Sequence, residues 1–186
     1  AATVLNCRAY DPAFSYEVAV IVEDGIRNML GAGENAFYYI TLYNENMPQP
    51  APPEGAEAGI RQGLYRLRLS ALDAAAPRVQ LLGSGSILRE VLTAAERLEA
   101  EFGVAADVWS ATSYGELRRD GIDCDRWNLL HPDQPARVPY VTAQLAPSLG
   151  PVIAASDFIR AYPDLIRSWI PRPYTVLGTD GFGRSD

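Results

Sequence analysis

Residues Gly83, Ser84, Gly85 and Ser86 follow a short apolar run and precede a helical pattern. A Gly-rich turn from strand to helix aims backbone amides at an anion, and the helix dipole adds partial positive charge. The dinucleotide fingerprint needs another Gly three residues after the second, and Leu88 stands there. The Gly-x-Ser-x-Gly elbow of a hydrolase cannot be read across these residues. Two readings stay open: a tight turn with a serine cap, or a possible anion site at Gly83, Ser84, Gly85 and Ser86.

Other residue types able to do chemistry are few. The single histidine, His131, lies in Asn128-Leu129-Leu130-His131-Pro132. An imidazole can serve as a general base, but near a helix C-terminus its charge can also be purely structural. A hydrolase built from Ser84 or Ser86 with His131 would need an oriented third member, and none can be proposed. Asp120, Asp123 and Asp125 surround Cys124, yet the Gly and Glu of a calcium loop do not fall in place. The expectation is a solvated helix face paired with Arg118, Arg119 and Arg126. Phe37, Tyr38, Tyr39 and Tyr43 suit either ring stacking or a buried strand. Asp180-Gly181-Phe182-Gly183-Arg184 is a Gly-flanked aromatic after a strand, read as a ligand edge or a turn.

Composition removes whole classes. Among 186 residues there are 16 basic and 23 acidic side chains, and every basic one is arginine. Without lysine there is no Walker A loop and no Schiff base. One His and two distant Cys (Cys7, Cys124) cannot build the usual zinc sites. A net charge of −7 argues against a nucleic-acid surface. The aliphatic runs are too short for a bilayer, so no membrane association is expected. Two unframed cysteines and no signal-like start fit a cytoplasmic protein. The start without Met and the end just after a turn suggest a piece of something larger.

The elements that must position these residues alternate between strand and helix. Residues 4–10 are β-prone, Asp11-Pro12 reads as a helix start, and apolar positions from Phe14 to Leu30 keep helical spacing. Residues 36–43 read as a strand and the proline-rich 44–55 as a loop. A second block starts near Ala56, with a helical piece, a possible edge strand over 64–69, and a strand over 79–82. The helix after it has Leu88, Val91, Leu92, Ala95, Leu98 and Phe102 on one face. A strand over 106–111 leads to a helix over 114–130 broken at Gly121. Strand candidates cover 138–145 and 152–155. A helix over 157–170 is kinked or restarted at Pro163, and a last strand covers 174–177. This alternation means an α/β sheet with crossover helices.

Certain strings carry a family resemblance. Asn6-Cys7-Arg8-Ala9-Tyr10-Asp11-Pro12, Phe37-Tyr38-Tyr39-Ile40-Thr41 with Asn44-Glu45-Asn46, and Pro53-Glu54-Gly55-Ala56-Glu57 are three of them. Residues 79–88, Arg119-Asp120-Gly121 with Cys124, Arg126-Trp127-Asn128, Leu130-His131-Pro132, Arg137-Val138-Pro139-Tyr140 and residues 176–186 continue the series. In this order they resemble the homodimeric pyruvate dehydrogenase (acetyl-transferring) decarboxylating component of bacteria, a transketolase-like thiamine diphosphate enzyme. Pro163 and the Pro48-Gln49-Pro50 run depart from that family's pattern.

The resemblance implies an α/β fold with a mixed, mostly parallel sheet and crossover helices, like a transketolase C-terminal domain. The tail of a second α/β domain would precede it. Residues 1–55 would be the end of the pyrimidine-binding middle domain with its linker. Residues 56–186 would be the C-terminal domain, truncated at its end. The parent enzyme would decarboxylate pyruvate on thiamine diphosphate with Mg²⁺ and reductively acetylate lipoyl groups. Its partners would be a second subunit of a homodimer, its own remaining domains and the dihydrolipoamide acetyltransferase core. The family's catalytic glutamate, histidines and metal site would lie upstream of Ala1. No catalytic, cofactor-binding or metal residue is therefore assigned within the chain. The portion itself would be structural and dimer-forming, and the alternative is a small-anion or nucleotide-binding regulatory module.

Overall fold

A computed structural model describes residues 3–44 and 46–181. The first unit is a two-stranded parallel sheet, β1 (Cys7–Tyr10) and β2 (Phe37–Ile40), crossed over by α1 (Ser15–Ile26) and a π-helical turn over Arg27–Gly31. The helix starts later than expected. Asp11 is buried elsewhere, and the entry amides of Ala13 and Phe14 donate instead to Glu17 Oε2 at 2.5 and 3.0 Å. Glu17 is fully buried, and its other oxygen accepts from Tyr65 Oη (2.7 Å) and Ser110 Oγ (2.6 Å). Those two residues belong to the second unit, so one carboxylate ties both halves together. A buried carboxylate is tolerable only when its lone pairs are used in this way.

The second unit contains α2 (Ala56–Gln62), β3 (Tyr65–Arg68), β4 (Arg78–Gly83), α3 (Ile87–Phe102), β5 (Ala105–Ser110), α4 (Tyr114–Leu130), α5 (Tyr140–Leu145), β6 (Val152–Ile159), a 3₁₀ segment Pro163–Trp169 and β7 (Tyr174–Thr179). Its sheet runs β3-β5-β4-β6-β7, with β3 antiparallel at one edge and the rest parallel. Strands β4 and β5 are buried along almost their whole length because helices cover both faces. Leu88, Val91 and Ala95 of α3 pack one face against Val79, Leu81, Ala106 and Val108. The other face meets Leu117, Val141, Leu145 and Ile166 from α4, α5 and the 3₁₀ segment. A third cluster, Tyr10, Ile21, Ile60 and Tyr65, spans the two units.

Several expectations are corrected. Phe102 lies 68% exposed at the end of α3, off the buried face. Helix α4 is continuous through Gly121, where the glycine makes room for the Trp169 ring, which leaves no space for a Cβ. Residues 138–145 do not form a strand. Pro139 is followed by α5, whose first amide (Tyr140) donates to Asp120 Oδ2 at 2.6 Å, while Val141 and Leu145 face the core together. Strand β6 runs on to Ile159 where a helix was expected, and Pro163 opens the 3₁₀ segment. No helix among the described residues is long and apolar enough to cross a membrane.

Candidate functional site

In an open α/β sheet, ligands favour the carboxyl edge where successive connections diverge. Here β4 leads through α3 to β5 on one side, while β6 lies on the other. The crevice therefore opens beyond Gly83 and Ala155, where the Gly83–Ser86 turn sits. It already holds part of the chain. The main chain of Asp11, just past β1, accepts from Gly85 N (3.0 Å) and donates to Thr112 O (2.8 Å), so it bridges the turns after β4 and β5. The Asp11 carboxylate lies against Gly85, and its Oδ1 accepts from Thr41 Oγ1 and from Tyr43 Oη (2.5 Å). Burial and that bond to Asp11 push the Tyr43 phenol up to about 12.

Gly85 has φ +50°, a left-handed conformation suited to glycine. A Cβ there would stand 2.6 and 2.7 Å from the two Asp11 carboxylate oxygens. The turn thus lets another backbone approach closely. The expected serine cap is absent: the Ser86 side chain makes no cap bond and reaches Asp157 Oδ2 at 3.3 Å instead. Ser84 Oγ and Asp11 Oδ2 are buried without a partner. Beside Asp11 lies a cavity of about 390 Å³ whose wall includes Tyr39, Thr41, Phe158, Tyr162 and Leu165. Among the described residues, Asp11 is the one charged side chain lining it.

The remaining candidates have structural partners. His131 Nδ1 lies 2.9 Å from Trp127 O, and its ring stacks on Trp127 at 3.7 Å. The Arg137 guanidinium takes a place 3.5 Å from the same indole. His131 therefore closes α4, and Ser84 and Ser86 belong to a different set of contacts. The acidic cluster is only partly a solvated face. Asp123 pairs with Arg126 at 3.8 Å, but Asp120 caps α5 and Asp125 accepts from Trp169 Nε1 at 2.9 Å. Arg119 reaches Glu116 (3.3 Å) and the carbonyls of Leu5 and Cys7. Cys7 and Cys124 are both buried and free, and burial pushes the Cys124 thiol up. No group of three or more His, Cys, Asp or Glu among the described residues could hold a metal ion.

On β2 the aromatics divide. Tyr38 stacks on Tyr10 at 5.9 Å and donates to Asp24 at 2.8 Å, whereas Phe37 and Tyr39 are exposed. Of the 180–184 motif, Phe182, Gly183 and Arg184 lie outside the described residues. Sequence reasoning missed the roles of Asp11 and Glu17. It also passed over Gln80, a polar residue inside an apolar strand that had to find buried partners. Gln80 is fully buried, donates to Asp107 Oδ2 (2.8 Å) and accepts from Trp109 Nε1 (2.8 Å).

Comparison with known proteins gives two consecutive family matches. Residues 63–186 match the transketolase-like TK C-terminal domain, and residues 1–50 the pyruvate dehydrogenase E1 component middle domain. Pyruvate dehydrogenase E1 component of Pseudomonas aeruginosa is 54% identical over 187 residues, covering 100% of this chain and 21% of that protein. The protein of that name from Escherichia coli K12 is 52% identical, over 99% and 20%. The chain thus spans about a fifth of the length of the curated relatives it matches. Among solved structures, a split-gene transketolase described as an inactive beta4 tetramer aligns with TM-score 0.59 at 20% identity, over 96% of this chain and 50% of that one. Transketolase from Campylobacter jejuni aligns at 0.57 and 19%, over 97% and 22%. These structures share the fold.

Proposed function

The chain belongs to the transketolase-like C-terminal domain family and is homologous along its length to pyruvate dehydrogenase E1 components, and from this premise we propose that it is the architectural part of such an enzyme. The parent protein would decarboxylate pyruvate with thiamine diphosphate and Mg²⁺ and pass the acetyl group to lipoyl groups on an acetyltransferase core. It would work as a cytoplasmic homodimer. Residues 1–55 would be the end of the middle domain and its linker, and residues 56–186 the C-terminal domain. Two separate sheets joined by a proline-rich loop support that division.

The observation that carries the reading is the filled crevice. The turn at Gly83–Ser86 is occupied by the chain's own Asp11, delivered by β1: Gly85 N donates to its main-chain carbonyl, and its carboxylate lies against Gly85 with Thr41 and Tyr43 as its donors. The site locks one domain onto another and offers no reacting pair. Its residues do not fit a diphosphate: among the described residues the adjoining cavity is lined by one anion and no cation, so charge opposes the ligand. Thiamine diphosphate would supply carbanion stabilisation in the parent enzyme, and residues outside 1–186 would hold it.

The test uses the protein at full natural length with pyruvate and a lipoylated acceptor. CO₂ release that requires added thiamine diphosphate and Mg²⁺ is expected. A full-length protein inert toward pyruvate under those conditions contradicts the assignment.

A further inference from the structure

At the amino edge of the sheet, opposite the Asp11 crevice, lies a cleft of about 690 Å³ between β3, the 69–78 loop and the end of α5. Its floor is a closed polar network. Asp107, 3% exposed, accepts from Ser70 N (2.9 Å), Arg78 Nη1 (2.7 Å) and Gln80 Nε2 (2.8 Å). Gln80 also donates to Leu149 O at 3.0 Å and fixes the Trp109 indole. Arg78 neutralises Asp107, and both are largely buried. A floor satisfied in this way is rigid and leaves no charge of its own.

The rim is different. Arg66 is exposed, and its guanidinium stands 5.7 Å from the centre of the Trp109 ring, with no carboxylate partner among the described residues. Leu69 and Leu149, both in the lining, are 59% and 54% exposed. Leu72 and Pro147 extend the apolar wall, and Ser148 and Gln144 add hydroxyl and amide groups. The Trp109 ring is itself buried beneath Arg66, so what the cleft offers a ligand is its size, its apolar walls and one uncompensated cation, the usual make-up of a small-molecule site. An inorganic anion would use the guanidinium and waste the walls. A neutral apolar molecule would leave the cation unpaired.

We propose that this cleft binds a small organic anion with a flat apolar body. The carboxylate, sulfonate or phosphate pairs with Arg66, and the body packs between Leu69, Pro147 and Leu149. The inference stands on the cleft alone and not on the parent enzyme's reaction.

The probe is 8-anilinonaphthalene-1-sulfonate, followed by its fluorescence with the protein at full natural length. Arg66→Gln and Leu149→Glu both alter exposed side chains and leave the buried network in place. Each is expected to weaken one saturable binding component by about 5-fold or more, the loss of a charge-assisted contact or the gain of a repelling one. Arg66→Lys is expected to keep most of the affinity. 2-Naphthoate should displace the dye, and inorganic phosphate at the same concentration should not. Affinity within two-fold of wild type in both Arg66→Gln and Leu149→Glu would overturn the proposal. So would equal displacement by phosphate.

Discussion

Gly85 carries two demands at one position: a left-handed backbone and an open face toward Asp11. Gly85→Ala should cost about 2 kcal/mol, from the left-handed conformation plus displacement of the carboxylate. A Cβ at Gly85 would meet the Tyr43 hydroxyl first and then both Asp11 carboxylate oxygens, so Asp11→Ala, which also frees Tyr43 from its acceptor, should remove part of that cost. The double variant should be less destabilised than the sum of the singles by about 1 kcal/mol, read from urea denaturation. Strict additivity would mean that the turn and Asp11 are not coupled. At this scale the sequence left a plain turn and an anion site open at Gly83–Ser86, and the structure places Asp11 against that turn. A Gly-Ser-Gly-Ser turn announces room for an approaching group, but its composition does not say that the group comes from a strand some seventy residues earlier. Asp11 before Pro12 looks like a local cap, and only the tertiary pairing with Thr41 and Tyr43 removes it from that role.

The elements were legible where local pattern and burial agree. Strands β4 and β5 are buried almost throughout and mostly apolar, with Gln80 and Asp107 as the buried exceptions, and the buried positions of α3 repeat at helical spacing. Misreadings fell where a distant side chain decides. Residues 138–145 are rich in Val, Tyr and Thr, which favours a strand, yet Asp120 supplies the acceptor that starts α5. Asp120→Ala should therefore destabilise the protein by about 1 kcal/mol. Asp123→Ala should stay within about 0.5 kcal/mol of wild type, since its pair with Arg126 is exposed. Equal effects in chemical denaturation would return Asp120 to the solvated face that the sequence suggested. Gly121 likewise reads as a helix breaker until the Trp169 ring is placed over it.

Across the whole molecule, phenols bind the two units together: buried Tyr10 and Tyr65 in the shared cluster, and the more open Tyr43 and Tyr162 around Asp11. Burial raises all four, and Tyr43 and Tyr162 reach about 12. Between pH 10 and 12 the unfolded chain has lost protons that the folded chain still holds. Stability should thus be flat up to about pH 10 and fall as pH rises toward 12. Tyrosinate absorbance should appear together with loss of helical circular dichroism. Ionisation of these phenols well before unfolding would show that the junction is open to water. The family was legible from strings spread along the sequence, whereas the junction was not, because its contacts join residues far apart in the chain. On this reading residues 1–186 would position an active centre that the rest of the parent protein supplies. Calorimetric titration of this chain with thiamine diphosphate and Mg²⁺, alongside the full-length protein, tests it most directly. Saturable heat is expected from the full-length protein and none from the 186-residue chain, whereas micromolar binding by the chain alone would contradict the claim.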